Sequence, residues 1–162
     1  MADSGSVNLG SVDLEMLATA LADQGGWEHR WLFDPRTGET NFWSSDEPAD
    51  QDEFDDDDPD QLRLRVQPMP SWVWYQDMVD FAAQVSDEQA GRRLGRALDG
   101  KGAFRRFRNE LHEEYPDLLP AWNALRYNRA AGRAVEWLHD NDLLTHEQYQ
   151  QYCTQHPDPP IP

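Results

Sequence analysis

The chain has 162 residues and a formal net charge of −17, with 31 acidic side chains against 14 Lys and Arg. Seven Trp, six Phe and five Tyr provide enough large apolar side chains for a core, so the composition excludes global disorder. The negative charge argues against a general attraction to nucleic acid or to an anionic membrane surface.

The charge is distributed unevenly along the chain. Residues 46–60 carry ten acidic side chains and no basic one, whereas residues 86–133 carry ten basic and seven acidic side chains. Self-repulsion and a single large apolar side chain, Phe54, predict a solvated acidic loop over 45–60. The loop lacks the central Gly and the closing Glu of an EF-hand, so we expect no metal site there. A docking loop for a basic partner is the alternative interpretation.

The N-terminal half has a helical segment followed by strand segments. Residues 1–10 are small and polar, which predicts a disordered N-terminus. Apolar spacing and two following glycines predict a helix over 11–24. Alternation over 27–33, a turn containing Pro and Gly, and a second run over 39–44 predict a β-hairpin. The alternation over 61–66 predicts a third strand in an antiparallel sheet with one dry face.

Helical spacing dominates from residue 71 onwards. The predicted helices begin near Ser71, Ser86, Phe104, Leu118 and Thr145, where Ser86 and Thr145 open capping-box sequences. We therefore predict an α+β fold with an N-terminal helix, a small three-stranded antiparallel sheet and a C-terminal bundle of four to five helices. A single α+β domain is expected over 11–153, and a Pro-rich tail over 154–162.

The apolar faces of these helices predict the core. Phe104 and Phe107 fall at helical spacing with Leu111, which predicts that both phenylalanines are buried. Trp72 is expected to face inward on the helix that begins at Ser71. The longest helix has core candidates at Trp122, Leu125, Val135 and Leu138. Its arginines, Arg126, Arg129 and Arg133, have the spacing of one exposed stripe.

The segment from Gly100 to Leu111 is a basic motif in an otherwise acidic chain. Gly100 and Gly102 flank Lys101, the only lysine, just before a predicted helix whose first amide groups attract anions. The segment lacks the spacing and the Ser or Thr of a P-loop. The candidate anion-binding or partner-binding residues are Lys101, Arg105, Arg106, Arg108, Arg92, Arg93 and Arg96. A helix start with solvated arginines is the alternative interpretation.

The succession of segments resembles the bacterial uncharacterised protein family 0158. The residues that carry the resemblance are Asp34-Pro35-Arg36-Thr37-Gly38-Glu39, Pro68-Met69-Pro70-Ser71-Trp72, Gly100-Lys101-Gly102-Ala103-Phe104-Arg105-Arg106-Phe107 and Val135-Glu136-Trp137-Leu138. The likeness covers roughly residues 12–141 and is most specific over 100–107. It implies a small α+β cytoplasmic protein and implies no activity.

No motif predicts a catalytic centre, a cofactor or a metal site. His112-Glu113 lacks the second His of a zincin because position 116 is Pro. Cys153 is the only cysteine, and no nucleophile elbow or dinucleotide fingerprint occurs. No basic leader precedes an apolar run, and no apolar run is long enough to cross a bilayer. These features predict a cytoplasmic protein that does not enter the membrane.

The sequence leaves three hypotheses for function. We favour a non-catalytic interaction or regulatory protein whose Arg-rich helical face docks an unknown protein partner. The alternative is phosphate or nucleic-acid binding through the segment over 100–107. The third is an enzyme with a cleft between the sheet and the helices, because the many carboxylates leave acid–base chemistry open.

Overall fold

The computed structural model describes residues 7–23, 29–44 and 64–162, so the predicted acidic loop over 45–60 lies outside the described residues. The chain divides into two compact units. Unit 1 comprises residues 1–69 and 133–154, and unit 2 comprises residues 70–132 and 155–162. The single domain expected over 11–153 stays a prediction.

The predicted α+β architecture is confirmed. Within the described residues one helix precedes a three-stranded antiparallel sheet, and five helices follow it. The elements are α1 (Leu14–Ala22), β1 (His29–Asp34), β2 (Glu39–Ser44), β3 (Leu64–Val66), α2 (Ser71–Gln84), α3 (Glu88–Ala97), α4 (Ala103–Glu114), α5 (Leu119–Asp140) and α6 (His146–Gln155). None of the helices in the described ranges is long and apolar enough to cross a membrane.

The sheet of unit 1 has the strand order β2-β1-β3. Trp31 of β1 lies opposite Phe42 of β2 on one side and opposite Val66 of β3 on the other. The β1–β2 turn is closed by Gly38, whose φ of 77° is available to glycine at little cost. Val66 is buried and Arg65 is exposed, which confirms the predicted dry face of β3.

A disordered N-terminus was predicted over residues 1–10. Residues 7–10, the described part of that segment, are attached to unit 1, which corrects the prediction. The Val7 side chain is buried, and its amide donates a hydrogen bond of 2.8 Å to the Leu143 carbonyl. A 3-10 turn over Leu9–Ser11 follows, and Asp13 then caps α1 by accepting a hydrogen bond from the Met16 amide. The buried Val7 side chain and its backbone hydrogen bond therefore attach this segment to unit 1.

The core of unit 2 is centred on three aromatic rings. The rings of Phe107 and Trp122 have centroids 5.0 Å apart, and Phe81 lies 5.4 Å from Trp122 in an edge-to-face arrangement. Such pairs are favourable because a positive ring edge meets a negative ring face. Trp122 and Leu125 are buried here, as predicted.

Two aromatic residues expected in this core are instead exposed. Phe104 retains 42% of its accessible surface and Trp72 retains 67%. The buried face of α4 consists of Ala103, Phe107 and Leu111, a four-residue spacing that rotates Phe104 away from the core. The small residue Ala103, rather than Phe104, occupies the buried position in the first turn.

The Pro-rich end corrects the prediction of a tail over 154–162. Helix α6 continues to Gln155, and the following residues pack against unit 2. The side-chain amide of Asn128 donates hydrogen bonds to the carbonyls of His156 and Pro157, and the Ser86 amide donates one of 3.1 Å to Pro162. Ile161 packs against the core cluster, so this segment is part of the folded unit.

Candidate functional site

Helices α3 and α4 form a hairpin that carries all seven candidate residues. The Asp87 carboxylate begins α3 by accepting hydrogen bonds from the amides of Gln89 and Ala90, so Asp87 and not the predicted Ser86 is the cap. The turn between the helices contains Gly100 and Gly102, with φ of 77° and 79°. These left-handed conformations reverse the chain without the strain that a side chain would add.

Arg106 holds the turn of this hairpin together. Its Nε donates a hydrogen bond of 3.0 Å to the Ala97 carbonyl, and its two terminal nitrogens donate to the carbonyls of Asp99 and Lys101. Ala97 is the last residue of α3, where carbonyls lack helical partners and the helix dipole is negative, and Asp99 and Lys101 lie in the turn that follows. Arg106 was predicted to face solvent or a partner; instead, its guanidinium binds backbone groups of its own hairpin.

Arg93 is also engaged within the hairpin. Its Nε lies 2.7 Å from Glu110 Oε1 and one terminal nitrogen lies 3.5 Å from Glu114 Oε2. Glu110 Oε1 accepts no hydrogen bond from the described residues, so its contact with Arg93 is an ion pair. Desolvation lowers the pKa of Arg93, but attraction from Glu110, Tyr115 and Glu114 outweighs it and raises the pKa above its ordinary value.

Two adjoining open grooves run along this side of the hairpin. The first has a volume of about 410 Å³ and is lined by Arg93, Arg96, Ala97, Arg106, Asn109 and Glu110. The second has a volume of about 380 Å³ and is lined by Gln89, Arg92, Arg93 and Arg96. We call these two cavities the arginine groove. The fold thus brings together four of the seven predicted residues.

Arg92 and Arg96 supply the accessible positive charge of the arginine groove. Both are exposed, and they lie four residues apart on α3. Arg92 donates a long hydrogen bond of 3.4 Å to the Glu88 carbonyl. Among the described residues neither has an acidic partner, in contrast to Arg93.

The other three candidates lie outside the arginine groove. Lys101 is exposed in the turn, and Arg105 and Arg108 are exposed on α4 without lining either cavity. Their three-residue spacing places Arg105 and Arg108 on one flank, whereas Arg106 faces α3. Within the described part of the chain none of the three is paired with a carboxylate. The sequence-predicted site is therefore divided between two surfaces.

The charge balance differs between the two units. Unit 1 has five basic and 21 acidic residues, whereas unit 2 has nine basic and ten acidic residues. Seven of the nine bases of unit 2 lie within residues 89–109, together with one acid, Asp99. A strongly acidic chain thus contains one local region of positive charge.

The prediction that the arginines of α5 form one exposed stripe is wrong at Arg129. One terminal nitrogen of Arg129 lies 3.1 Å from Asp77 and 2.6 Å from Asp80, and the other lies 3.0 Å from Asp158. Desolvation lowers the pKa of Arg129, but the hydrogen bonds that it donates to Asp158, Asp80 and Asp77 outweigh this effect and raise the pKa above its ordinary value. Asp77 is fully buried, so this arginine compensates a buried charge. The sequence separation of 29 to 52 residues concealed the partners.

The histidines and the cysteine outside the hairpin form no metal cluster among the described residues. The ring of His139 stacks on Tyr149 with centroids 4.6 Å apart, and His146 lies 5.5 Å from His139. Desolvation and a hydrogen bond with Cys153 raise the pKa of the Tyr149 hydroxyl. Cys153 is exposed.

Comparison with known proteins identifies relatives by sequence. The profile of the Uncharacterised protein family (UPF0158) matches residues 12–155. A UPF0158 protein of Pseudomonas aeruginosa is 36% identical over 66 residues, which represent 41% of this chain and 42% of that protein. The matched segment of the chain thus spans less than half the length of this relative. No solved structure matches.

Proposed function

Because the chain belongs to the Uncharacterised protein family (UPF0158), whose name specifies no activity, we propose a function from its surface. The protein is a non-catalytic docking protein whose arginine groove binds an acidic segment of a partner protein. The observation that carries this proposal is the pair Arg92 and Arg96, which are exposed beside a groove and have no acidic partner among the described residues.

The geometry of α3 supports recognition of carboxylates. Residues four apart on a helix have Cβ atoms about 6 Å apart, so the side chains of Arg92 and Arg96 begin from the same face of α3. Each can bind a carboxylate through two parallel hydrogen bonds. A lysine at these positions would provide charge but not this fork geometry.

The ion pairs of Arg93 support a fixed orientation of the bound segment. Glu110 lines the groove, and Glu114 lies on the same side of α4 next to Arg93. Both carboxylates are paired with Arg93, so this part of the groove attracts an acidic segment less than Arg92 and Arg96 do. The difference in charge favours one register of the partner.

The expected affinity is modest. Exposed ion pairs contribute about 0.2–1 kcal/mol each, so two arginines alone provide weak binding. Electrostatic steering instead gives fast association that slows as salt screens the charges. These properties suit a reversible regulatory contact.

The test is titration of a fluorescein-labelled oligoglutamate peptide with the full chain, followed by anisotropy. We expect saturable binding that weakens at least tenfold between about 50 and 200 mM salt. The Arg92→Ser/Arg96→Ser variant should lose most of the binding. Arg92→Lys/Arg96→Lys should recover only part of it, because charge returns without the fork.

The matched control is the Arg65→Ser/Arg126→Ser variant, which removes the same charge from exposed positions that line neither cavity of the arginine groove. It should bind the peptide as the unmodified chain does. An equal loss of peptide affinity in the two double variants would show that binding depends only on net charge, and it would overturn the proposal. Absence of peptide binding to the unmodified chain would also overturn it.

A further inference from the structure

We infer that a second surface of unit 2 binds single-stranded nucleic acid by stacking bases on exposed aromatic rings. This surface, the aromatic end, consists of Trp72, Lys101, Phe104, Arg105 and Arg108. It differs from the arginine groove in its residues, and the inference does not depend on the proposed docking of an acidic partner.

The fold brings the aromatic end together through one hydrogen bond. The Tyr75 hydroxyl donates to the Leu98 carbonyl at 2.9 Å, so the N-terminal part of α2 lies near the C-terminal end of α3. Trp72 precedes Tyr75 by one helical turn. Phe104 follows Leu98 after the turn held by Arg106. Both exposed aromatics therefore lie at the same end of unit 2.

The exposed rings of the aromatic end lie next to exposed cations. Trp72 and Phe104 are large side chains in the first turns of their helices, and neither belongs to the core cluster. Arg105 and Arg108 are exposed at the next position and one helical turn beyond Phe104. The aromatic end thus combines two exposed aromatic side chains with three cations that have no acidic partner in the described residues.

This combination fits a single strand better than other polyanions. Bases of a single strand stack on aromatic side chains while Lys and Arg contact the phosphates. In a duplex the bases are already stacked, so Trp72 and Phe104 would have no partner. A carboxylate-rich peptide would use Arg105 and Arg108 but leave both rings uncovered.

The net charge of the chain limits the length of strand that binds. Exposed charges are screened over about 10 Å at 0.1 M salt, so an excess of acid farther away than this has little effect on a local contact. A longer strand carries more phosphates, so the net charge of −17 of the chain repels it more strongly. We therefore expect a short site of about four to eight nucleotides, the lower part of the range found for other single-strand binders.

The experiment measures anisotropy of fluorescein-labelled octathymidylate titrated with the full chain. We expect Phe104→Leu and Trp72→Leu each to weaken binding at least roughly fivefold, because leucine retains apolar surface but cannot stack. Phe42→Leu is the matched control, since Phe42 is 49% exposed in unit 1, and it should leave the affinity unchanged. Circular dichroism should show the same helical content in all three variants.

The arginines are tested through the salt dependence. Each phosphate contact on a single strand contributes about 0.7 to the slope of log K against log salt, so Arg105→Gln/Arg108→Gln should reduce the slope by about 1.4. The Arg105→Lys/Arg108→Lys variant should restore the slope. The Arg92→Ser/Arg96→Ser variant should leave the slope unchanged, which distinguishes this surface from the arginine groove.

Four outcomes would overturn the inference. The first is no binding of octathymidylate, and the second is equal binding of the matching duplex. The third is unchanged affinity after Phe104→Leu and Trp72→Leu. The fourth is that binding of an oligoglutamate peptide depends on Phe104 as strongly as binding of the oligonucleotide does. This outcome would identify the aromatic end as a peptide-binding surface. None of these outcomes affects the test of Arg92 and Arg96.

Discussion

Arg106 Nε donates a hydrogen bond of 3.0 Å to the carbonyl oxygen of Ala97, nine residues earlier in the chain. The contact places a cation at the negative end of α3 and closes the turn that leads into α4. It also explains why a basic motif need not consist of binding residues throughout. Arg106 positions the turn, while Lys101 and Arg105 remain exposed on either side of the start of α4.

Replacing Arg106 by lysine should destabilise the protein although the charge is kept. A lysine cannot donate to three carbonyls in the fixed planes of a guanidinium, so we expect the free energy of unfolding to fall by about 1–2 kcal/mol. Arg105→Lys is the control and should change it by less than about 0.5 kcal/mol. Urea denaturation measures both. Equal stability of the two variants would show that the Arg106 contacts contribute nothing to the fold.

Truncation of the two phenylalanines of α4 should destabilise the protein to very different extents. Phe107 is 1% exposed, so Phe107→Ala creates a cavity beside Phe81 and Trp122 and should cost about 3–5 kcal/mol. Phe104→Ala removes an exposed ring and should cost less than about 1 kcal/mol. Chemical denaturation of the two variants gives the comparison. A large loss at Phe104 would contradict the orientation of α4 described above.

Removal of Arg129 should cost more than removal of one of its exposed partners. Arg129→Ala leaves the buried Asp77 without its arginine, and losing one partner of such a pair costs about 3 kcal/mol or more. Asp158→Ala removes a half-exposed partner and should cost at most about 1 kcal/mol. Thermal and urea denaturation should rank the variants in this order. The reverse order would contradict the role of Arg129 in compensating Asp77.

Two glycine-to-alanine substitutions should change the free energy of unfolding in opposite directions. A Cβ at Gly38 would lie 2.9 Å from the Ser11 carbonyl carbon and 3.0 Å from Val12 Cα, and the φ of 77° adds strain. Gly38→Ala should therefore destabilise by at least about 1–2 kcal/mol. Gly95 lies inside α3 with open space around it, so Gly95→Ala should stabilise by roughly 0.5–1 kcal/mol. A loss of stability at Gly95 would show a contact that this structure lacks.

Local patterns were predictable from sequence where neighbouring residues set the structure. The β2 strand has its predicted bounds, Glu39–Ser44, because the turn at Gly38 determines the register of the hairpin. The capping box at the start of α6 is present with both hydrogen bonds, from the Gln148 amide to Thr145 and from the Thr145 amide to Gln148. Both features involve groups within a few residues of each other.

The rotation of each helix about its axis was harder to predict. Phe104 and Ala103 are equally compatible with a face that contains Phe107 and Leu111, and hydrophobicity favoured the phenylalanine. The structure buries Ala103 instead. Two candidate faces about 100° apart cannot be ranked by periodicity alone, because the ranking depends on the neighbouring helices.

The amino-acid sequence alone determined the α+β class, the β-hairpin, the approximate starts of most helices and the presence of a basic segment in an acidic chain. Only the tertiary structure decided which cations remain accessible. It directed Arg106 to backbone carbonyls, Arg93 to Glu110 and Arg129 to Asp77, and left Arg92 and Arg96 exposed. The physical reason is that periodicity and capping act over a few residues, whereas the partner of a charge is selected by packing between distant segments.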